Sequence, residues 1–208
     1  MLKIAIAKGR TAEKVQKLLQ QTEDFGEVLD LNTRKLIFKD EAGQVQFILV
    51  KPTDLPIYVE NGAADIGIVG KDVLMEKNCS ICEVYDMKIS NCIIAIAGPD
   101  RKGDMKNNIR RIATKYPNIA ADYFRKRGEP IEIIKLDGSV ELAPLIGLSD
   151  AIVDIVESGD TLRENNLKVY EKLCDISTRV VVNKVSYKLR FDEVTAFVDS
   201  IRRVLEVR

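Results

Sequence analysis

The stretch Ser149-Asp150-Ala151-Ile152-Val153-Asp154-Ile155-Val156-Glu157-Ser158-Gly159-Asp160-Thr161-Leu162 constrains this chain more than any other. It begins as a buried strand, with Ala151, Ile152, Val153, Ile155 and Val156 apolar and one carboxylate, Asp154, among them. It breaks at Ser158-Gly159-Asp160-Thr161 and runs on into a polar helical segment, Leu162 to Asn166. A strand, a small-residue turn and a helix start form a ready anion site, because backbone N–H groups and the positive end of the helix dipole face one point. Gly159 lets the backbone come close, and Ser158 and Thr161 add hydroxyl donors. A carboxylate just before such a turn suits sugar hydroxyls beside a phosphate. An ordinary strand–turn–helix capped by Ser158 or Thr161 carries the same local signature.

The pattern has a looser echo upstream. Ala64-Asp65-Ile66 through Gly70-Lys71-Asp72-Val73-Leu74 also reads as acidic residue, apolar strand, Gly turn and helix, with fewer residues in the turn. Two such units predict an α/β chain, with a strand–turn–helix end offered by each; buried parallel strands followed by helices also resemble one another in general. The remaining periodicity agrees. Lys3 to Ala7 is a short buried strand ending in Lys8-Gly9-Arg10, where two cations flank a glycine, and a helix with Val15, Leu18 and Leu19 on one face follows. Lys35 to Lys39 and Val45 to Val50 flank the turn residues Asp40-Glu41-Ala42-Gly43-Gln44 and predict a hairpin, with Arg34 at its entrance. Lys51-Pro52-Thr53-Asp54-Leu55-Pro56 starts a helix that ends at Asn61-Gly62.

Further along, Ile81 to Tyr85, Asn91 to Gly98, Ile112 to Thr114 and Ile131 to Leu136 read as strands. Between them lies a basic loop with Arg101, Lys102, Lys106, Arg110 and Arg111, read as solvated, and a helix from Pro117 to Gly128 carrying Ile119, Tyr123 and Phe124. A helix over Val140 to Leu148, strands at Leu167–Tyr170 and Val180–Val182, and a closing helix from about Arg190 complete the chain. The closing helix places Phe191, Val194, Phe197, Val198, Ile201 and Leu205 in one apolar stripe, read as core packing.

Composition excludes several classes. Lys plus Arg equals Asp plus Glu at 32 each, and nothing in that balance points to a nucleic-acid or membrane partner. No apolar run approaches the roughly 20 residues of a membrane span, and the interrupted N-terminus is no signal peptide, so a cytoplasmic protein is expected. Histidine is absent, which rules out a Ser-His-Asp triad, a Cys-His pair and any His-ligated metal. Cys79-x-x-Cys82 has no second CxxC, so cytosolic thiols are expected there, and no resident metal site.

Glu141-x5-Gly147-x-Ser149-x2-Ile152-x-Asp154-Ile155-x2-Ser158-Gly159-x-Thr161-Leu162 resembles the signature of the ATP phosphoribosyltransferases. Lys8-Gly9-Arg10, Ala64-Asp65-Ile66-Gly67, Arg111-Ile112-Ala113-Thr114-Lys115-Tyr116-Pro117 and Gly138-Ser139-Val140-Glu141-Leu142-Ala143-Pro144 are also family-like and fall in the expected order. The resemblance covers nearly the whole chain. It implies a two-lobed α/β fold of the periplasmic-binding-protein type II kind, with the active site in the interdomain cleft. With crossovers near residues 88–92 and 175–180, domain I holds 1–90 plus 177–208, and domain II holds 91–176 with the phosphoribosyl loop.

The implied reaction is transfer of the phosphoribosyl group of phosphoribosyl pyrophosphate to N1 of ATP, giving phosphoribosyl-ATP and pyrophosphate, the first step of histidine biosynthesis. Charge builds on the leaving pyrophosphate, so cations and Mg2+ carried by the substrate phosphates are expected to carry catalysis. The resemblance assigns Lys8, Arg10 and Lys51 to the pyrophosphate or triphosphate, and Gly9, Arg34, Thr114, Lys115 and Tyr116 to the nucleotide side. Ser158, Gly159, Asp160 and Thr161 take the 5′-phosphate, Asp154 and Glu157 the ribose hydroxyls, and Glu141 joins the phosphoribosyl pyrophosphate contacts or simply supports the loop. Ala7 and Thr11 stand where the family pattern has Pro and Leu, and Lys51 where it has Arg, which gives a point charge in place of a bidentate fork. The chain leaves no room for the C-terminal histidine-binding domain of the long form. It therefore resembles the short form, which works with a histidyl-tRNA synthetase-like subunit in a hetero-octamer. The competing expectation from the pattern alone is a non-catalytic bilobal small-molecule sensor.

Overall fold

The computed structural model describes residues 1–22, 25, 28–40, 42–100 and 109–206. Of the residues singled out above, Glu41, Arg101, Lys102 and Lys106 lie outside the described residues. The chain forms two compact units, Met1–Ser90 with Ser177–Arg208, and Asn91–Ile176. The first unit begins with β1 (Leu2–Ala7), α1 (Arg10–Leu19), β2 (Ile37–Lys39), β3 (Val45–Val50), α2 (Leu55–Glu60), β4 (Ile66–Gly70), α3 (Lys71–Lys77) and β5 (Cys82–Asp86). The second unit contains β6 (Cys92–Pro99), β7 (Arg111–Thr114), α4 (Pro117–Lys126), β8 (Glu132–Lys135), α5 (Leu142–Leu145), β9 (Ala151–Val156), α6 (Asp160–Glu164) and β10 (Leu167–Ile176). The chain then returns to the first unit with β11 (Thr178–Val182), α7 (Lys184–Leu189) and α8 (Phe191–Glu206).

Each unit is built on one mixed sheet. The first runs in the order β2-β3-β1-β4-β11-β5, the second in the order β10-β6-β9-β7-β8. In the first, β1 lies parallel to β3 and β4, and β11 is antiparallel to β4 and β5. In the second, β7 lies parallel to β8 and β9, and β6 is antiparallel to β9 and β10. The series β3-β1-β4-β11-β5 therefore has the same directions and chain logic as β8-β7-β9-β6-β10, and β4 corresponds to β9.

Parallel strands at the middle of such sheets are covered on both faces, which is why they read as near-continuous apolar runs. In β1, Leu2, Ile4 and Ile6 pack with α1 and α8 (Val15, Leu18, Phe197 and Ile201), while Ala5 and Ala7 pack with α2 and α3 through Leu55, Val59 and Val73. In β9, Ala151 and Val153 face α4 through Ile119, Ala120 and Phe124, and Ile152 faces α5 and α6 through Ala143 and Leu162. Phe25, Phe47 and Phe197 meet with centroids 5.5–6.4 Å apart, a geometry worth about 0.5–1.5 kcal/mol per pair beyond burial.

Four elements differ from the sequence expectation. The helix expected over Val140–Leu148 is a single turn, Leu142–Leu145; Pro144 lacks an N–H, and Gly147 at φ 76° ends it. The helix expected from Leu162 starts at Asp160 and stops before Asn166, which is left-handed at φ 54°. The strand expected at Leu167–Tyr170 continues to Ile176, because two register shifts let it follow β6 along its length. A separate helix, α7, precedes the closing one. Asn183 caps it by accepting from the N–H groups of Val185 and Ser186, and Phe191, expected in the buried stripe, is 52% exposed beside the break at Arg190.

Candidate active site

The acidic residues that open the two echoing stretches are structural. Asp65 Oδ2 accepts from Lys3 N–H at 2.8 Å, and Asp65 N–H donates to Lys3 O at 2.8 Å. In the second unit Asp150 Oδ2 accepts from Arg111 N–H at 2.8 Å, and Asp150 N–H donates to Arg111 O at 2.9 Å. Each carboxylate satisfies a strand-entry donor of its parallel neighbour. Asp65 also accepts from Ser186 Oγ at 2.7 Å and from Arg190 Nη1 at 2.8 Å, tying α7 and the start of α8 to this edge. The shared aspartate thus marks the N-terminal edge of the strands, the end opposite to where α/β folds bind ligands.

At the C-terminal ends of the parallel strands the two units diverge. The β4 strand passes directly into α3, with Gly70 as N-cap. The β9 strand is followed by three extra residues, Glu157-Ser158-Gly159, before α6 begins. Gly159 lies in the left-handed region at φ 76° and ψ 5°, a conformation that a side chain disfavours by about 1–2 kcal/mol. Ser158 is exposed; its Oγ accepts from Asp160 N–H at 3.3 Å and donates to Asp160 Oδ2 at 2.6 Å. Thr161, also exposed, lies in the first turn of α6. Asp154 shares the β9 face of Ile152 and Val156, the face covered by α5 and α6, and it is half-buried. Glu141 is half-buried at the N-cap of α5.

Glu157, Ser158 and Gly159 line a cavity of about 560 Å³ together with Asn91, Arg163 and Lys168. Sequence reasoning passed over Arg163 and Lys168. The detectable signal was the three-residue spacing from Asp160 to Arg163, which joins opposite charges on one helix face. Asp160, expected at the phosphate, turns its carboxylate to Ser158 Oγ and the Arg163 guanidinium.

In the first unit Lys8, Arg10 and Lys51 stand at one strand-end edge, and Arg34 borders a cavity with Lys8. Lys8 N–H donates to Val50 O at 2.9 Å, so Lys8 and Lys51 leave adjacent parallel strands side by side, and both are exposed. Gly9 holds φ 89° and ψ −149°, a backbone region essentially reserved for glycine, and caps α1, whose first residue is Arg10. Lys8, Gly9 and Arg34 line one cavity of about 390 Å³, joined by Thr33 and Lys35. Lys51 and Arg10 stand at the same strand-end edge.

Two residues expected on the nucleotide side are buried. Thr114 is 0% exposed; its Oγ1 donates to Val153 O at 2.6 Å and accepts from Tyr116 N–H at 2.8 Å. Tyr116 packs into the apolar core with Ile112, Ile119 and Phe124. Together they hold β7 to β9, and only Lys115 between them is exposed. The Cys79 and Cys82 thiols carry no disulfide, and burial first, then the Glu60 carboxylate, pushes the Cys79 thiol up. A raised pKa lowers the thiolate fraction that redox chemistry requires.

Two α/β units, each with one mixed sheet and polar residues at the C-terminal ends of its parallel strands, define the fold class. Solved structures share the fold. A Candida albicans protein with the generic periplasmic-binding-protein fold matches with a TM-score of 0.63 at 15% identity, over 100% of this chain and 71% of that one. The alkanesulfonate-binding protein SsuA of Xanthomonas axonopodis matches with a TM-score of 0.59 at 14% identity, over 98% and 72% of the two chains.

Sequence comparison is more specific. The ATP phosphoribosyltransferase family model matches residues 51–203. The ATP phosphoribosyltransferase of Caldicellulosiruptor saccharolyticus is 50% identical, with 99% of each chain covered. That of Clostridium botulinum is 48% identical, with 98% of each covered. The ATP phosphoribosyl transferase (HisG:HisZ) complex from Thermotoga maritima contains a chain 40% identical to this one, with a TM-score of 0.85 and full coverage of both. The chain belongs to the ATP phosphoribosyltransferase family. It is a transferase of the first step of histidine biosynthesis, and the non-catalytic sensor reading falls.

Proposed function

We propose that adenine N1 of ATP attacks C1′ of phosphoribosyl pyrophosphate at this site, breaking the bond to the pyrophosphate oxygen as the new C–N bond forms. Adenine N1 is a lone-pair nucleophile, so no general base is required, in keeping with a chain that contains no histidine. Negative charge develops on the departing pyrophosphate. Lys8, Arg10 and Lys51, at the strand ends of the first unit, are the cations that stabilise it, together with Mg2+ brought in by the substrate phosphates. Gly9 and Arg34, which line one cavity, take the nucleotide phosphates, and Lys115 is a further cation for them. Ser158, Gly159 and Thr161 hold the 5′-phosphate, Asp154 and Glu157 hold the ribose hydroxyls, and Glu141 supports the loop from α5.

The observation that carries this reading is the three-residue insertion between β9 and α6, with its left-handed Gly159, at a junction where the corresponding β4–α3 connection has none. We further infer that the working enzyme is a hetero-octamer with a histidyl-tRNA synthetase-like regulatory subunit. The Thermotoga maritima relative was solved as a HisG:HisZ complex. A cytoplasmic location suits a biosynthetic enzyme in which no described helix is long and apolar enough to cross a membrane. The test mixes the chain with ATP, phosphoribosyl pyrophosphate and Mg2+, with and without the regulatory subunit, and follows phosphoribosyl-ATP. Formation is expected at least with the partner; no product in either mixture overturns the reading.

A further inference from the structure

The loop that follows β9 carries a charge problem. Asp154, Glu157 and Asp160 place three carboxylates within seven residues, around a turn that is to accept a phosphate dianion. Asp160 is the most awkward of them, because it is the first residue of α6 and its side chain folds back over Ser158. One cation answers it from within the loop's own hydrogen-bonded circuit. Arg163 ion-pairs with Asp160, and its Nη1 donates to Ser158 O at 3.2 Å. Ser158 Oγ donates to Asp160 Oδ2 at 2.6 Å and closes the circuit. Arg163 also borders the same cavity as Ser158 and Gly159. A Cβ on Gly159 would meet Arg163 Nη1 at 3.5 Å, so the guanidinium lies directly against the left-handed turn.

We propose that Arg163 is a positioning residue for the phosphoribosyl loop: it neutralises Asp160 and draws that carboxylate aside, so that backbone donors of 158–161 and the Thr161 hydroxyl meet the substrate phosphate without a competing negative charge. The inference rests on the phosphoribosyl reading above. Its energetic signature is distinct from that of a structural ion pair. The pair is exposed, with side chains 69% and 61% accessible, and exposed pairs contribute little to folding. Losing Arg163 therefore leaves the fold intact but unmasks one charge a few ångströms from the phosphate. At an effective dielectric between that of water and that of a protein surface, this repulsion weakens binding about three- to tenfold.

Titration calorimetry of the full chain with phosphoribosyl pyrophosphate and Mg2+, without ATP, separates the outcomes. Arg163→Met is expected to raise Kd about three- to tenfold with an unchanged melting temperature, and Arg163→Lys, which keeps the charge, is expected to retain most of the affinity. The decisive variant is Asp160→Asn combined with Arg163→Met, which removes the repelling carboxylate as well. It is expected to return to within about twofold of the parent. If the double variant binds as weakly as Arg163→Met, Arg163 acts only by holding the Ser158 carbonyl, and the proposal is overturned. Unchanged binding by Arg163→Met overturns it as well. A parent chain that binds no phosphoribosyl pyrophosphate overturns the phosphoribosyl reading itself, a result distinct from both.

Discussion

Adding one methyl group to Gly67 tests how α2 is seated on the first sheet. Gly67 lies in the middle of β4, paired with Ala5 on one side and Val181 on the other. A Cβ there would stand 2.6 Å from Leu55 Cδ2, 2.7 Å from Val59 Cγ2 and 3.0 Å from Val181 Cγ2. Carbon atoms sit comfortably at about 3.5–4.0 Å, so two of these contacts are short by about 1 Å. Leu55 and Val59 are both 0% exposed, and neither can swing into solvent. Relief requires α2 to lift from the sheet or both side chains to leave their rotamers, which costs about 1–3 kcal/mol. Alanine recovers about 0.4–1 kcal/mol by restricting the unfolded chain, which at mid-range leaves a net loss of about 1.3 kcal/mol for Gly67→Ala. Gly138→Ala makes the same chemical change where a Cβ meets nothing within 4 Å and φ lies outside the left-handed region. It is expected to gain about 0.4–1 kcal/mol. Urea unfolding followed by far-ultraviolet circular dichroism compares the two at constant m. If Gly67→Ala matches or exceeds the parent, or if the two variants move together, the close seating of α2 on β4 is refuted.

Other expectations follow from the same geometry. Asp154→Asn keeps shape and loses charge, so binding of phosphoribosyl pyrophosphate should weaken about ten- to a hundredfold in calorimetry while the melting temperature holds; unchanged binding removes Asp154 from the site. Arg190→Met withdraws the guanidinium from the buried Asp65 carboxylate, leaving Ser186 Oγ and Lys3 N–H as its partners, and should cost about 1–3 kcal/mol in urea unfolding. For Asp86, burial opposes ionisation, but hydrogen bonds from Ser177 Oγ and Lys88 N–H and the Arg179 guanidinium outweigh it and hold the carboxyl below its ordinary value. A depressed folded-state pKa stabilises above the unfolded value, about 3.9, and that contribution is lost as pH falls through the folded value. The stability difference between parent and Asp86→Asn should therefore be constant above about pH 5 and shrink below about pH 4, and a gap that persists at pH 2 contradicts the assignment.

Tyr123 illustrates a polar cluster that sequence periodicity treats only as a core position. Burial, then the Glu171 carboxylate that accepts its hydroxyl at 2.6 Å, pushes its phenol up to about 12. The residue was legible as part of a helix face, but Glu171 lies 48 positions away, and nothing local announces the pairing.

That contrast runs through the whole molecule. Periods of two and of 3.6 residues, turn chemistry and the spacing from Glu141 to Leu162 were enough to locate β1, β4, β9 and α1, the hairpin of β2 and β3, most of the apolar stripe of α8 and the glycine turn at Gly159. These features depend on residues a few positions apart, and the local backbone carries them. Side-chain destinations did not follow from such patterns. Thr114 and Tyr116 stand beside the exposed Lys115 in the chain, yet packing of β7 against β9 and α4 buries both. Asp65 and Asp150 read only as acids opening two echoing stretches, and it is parallel pairing that shows each to satisfy the entry of its neighbouring strand. Lys8 meets Arg34 across one cavity only because β1 and the hairpin share a sheet. Burial, direction and partnership are set by contacts between distant segments, and the free energy that selects them exists only once those segments are packed together.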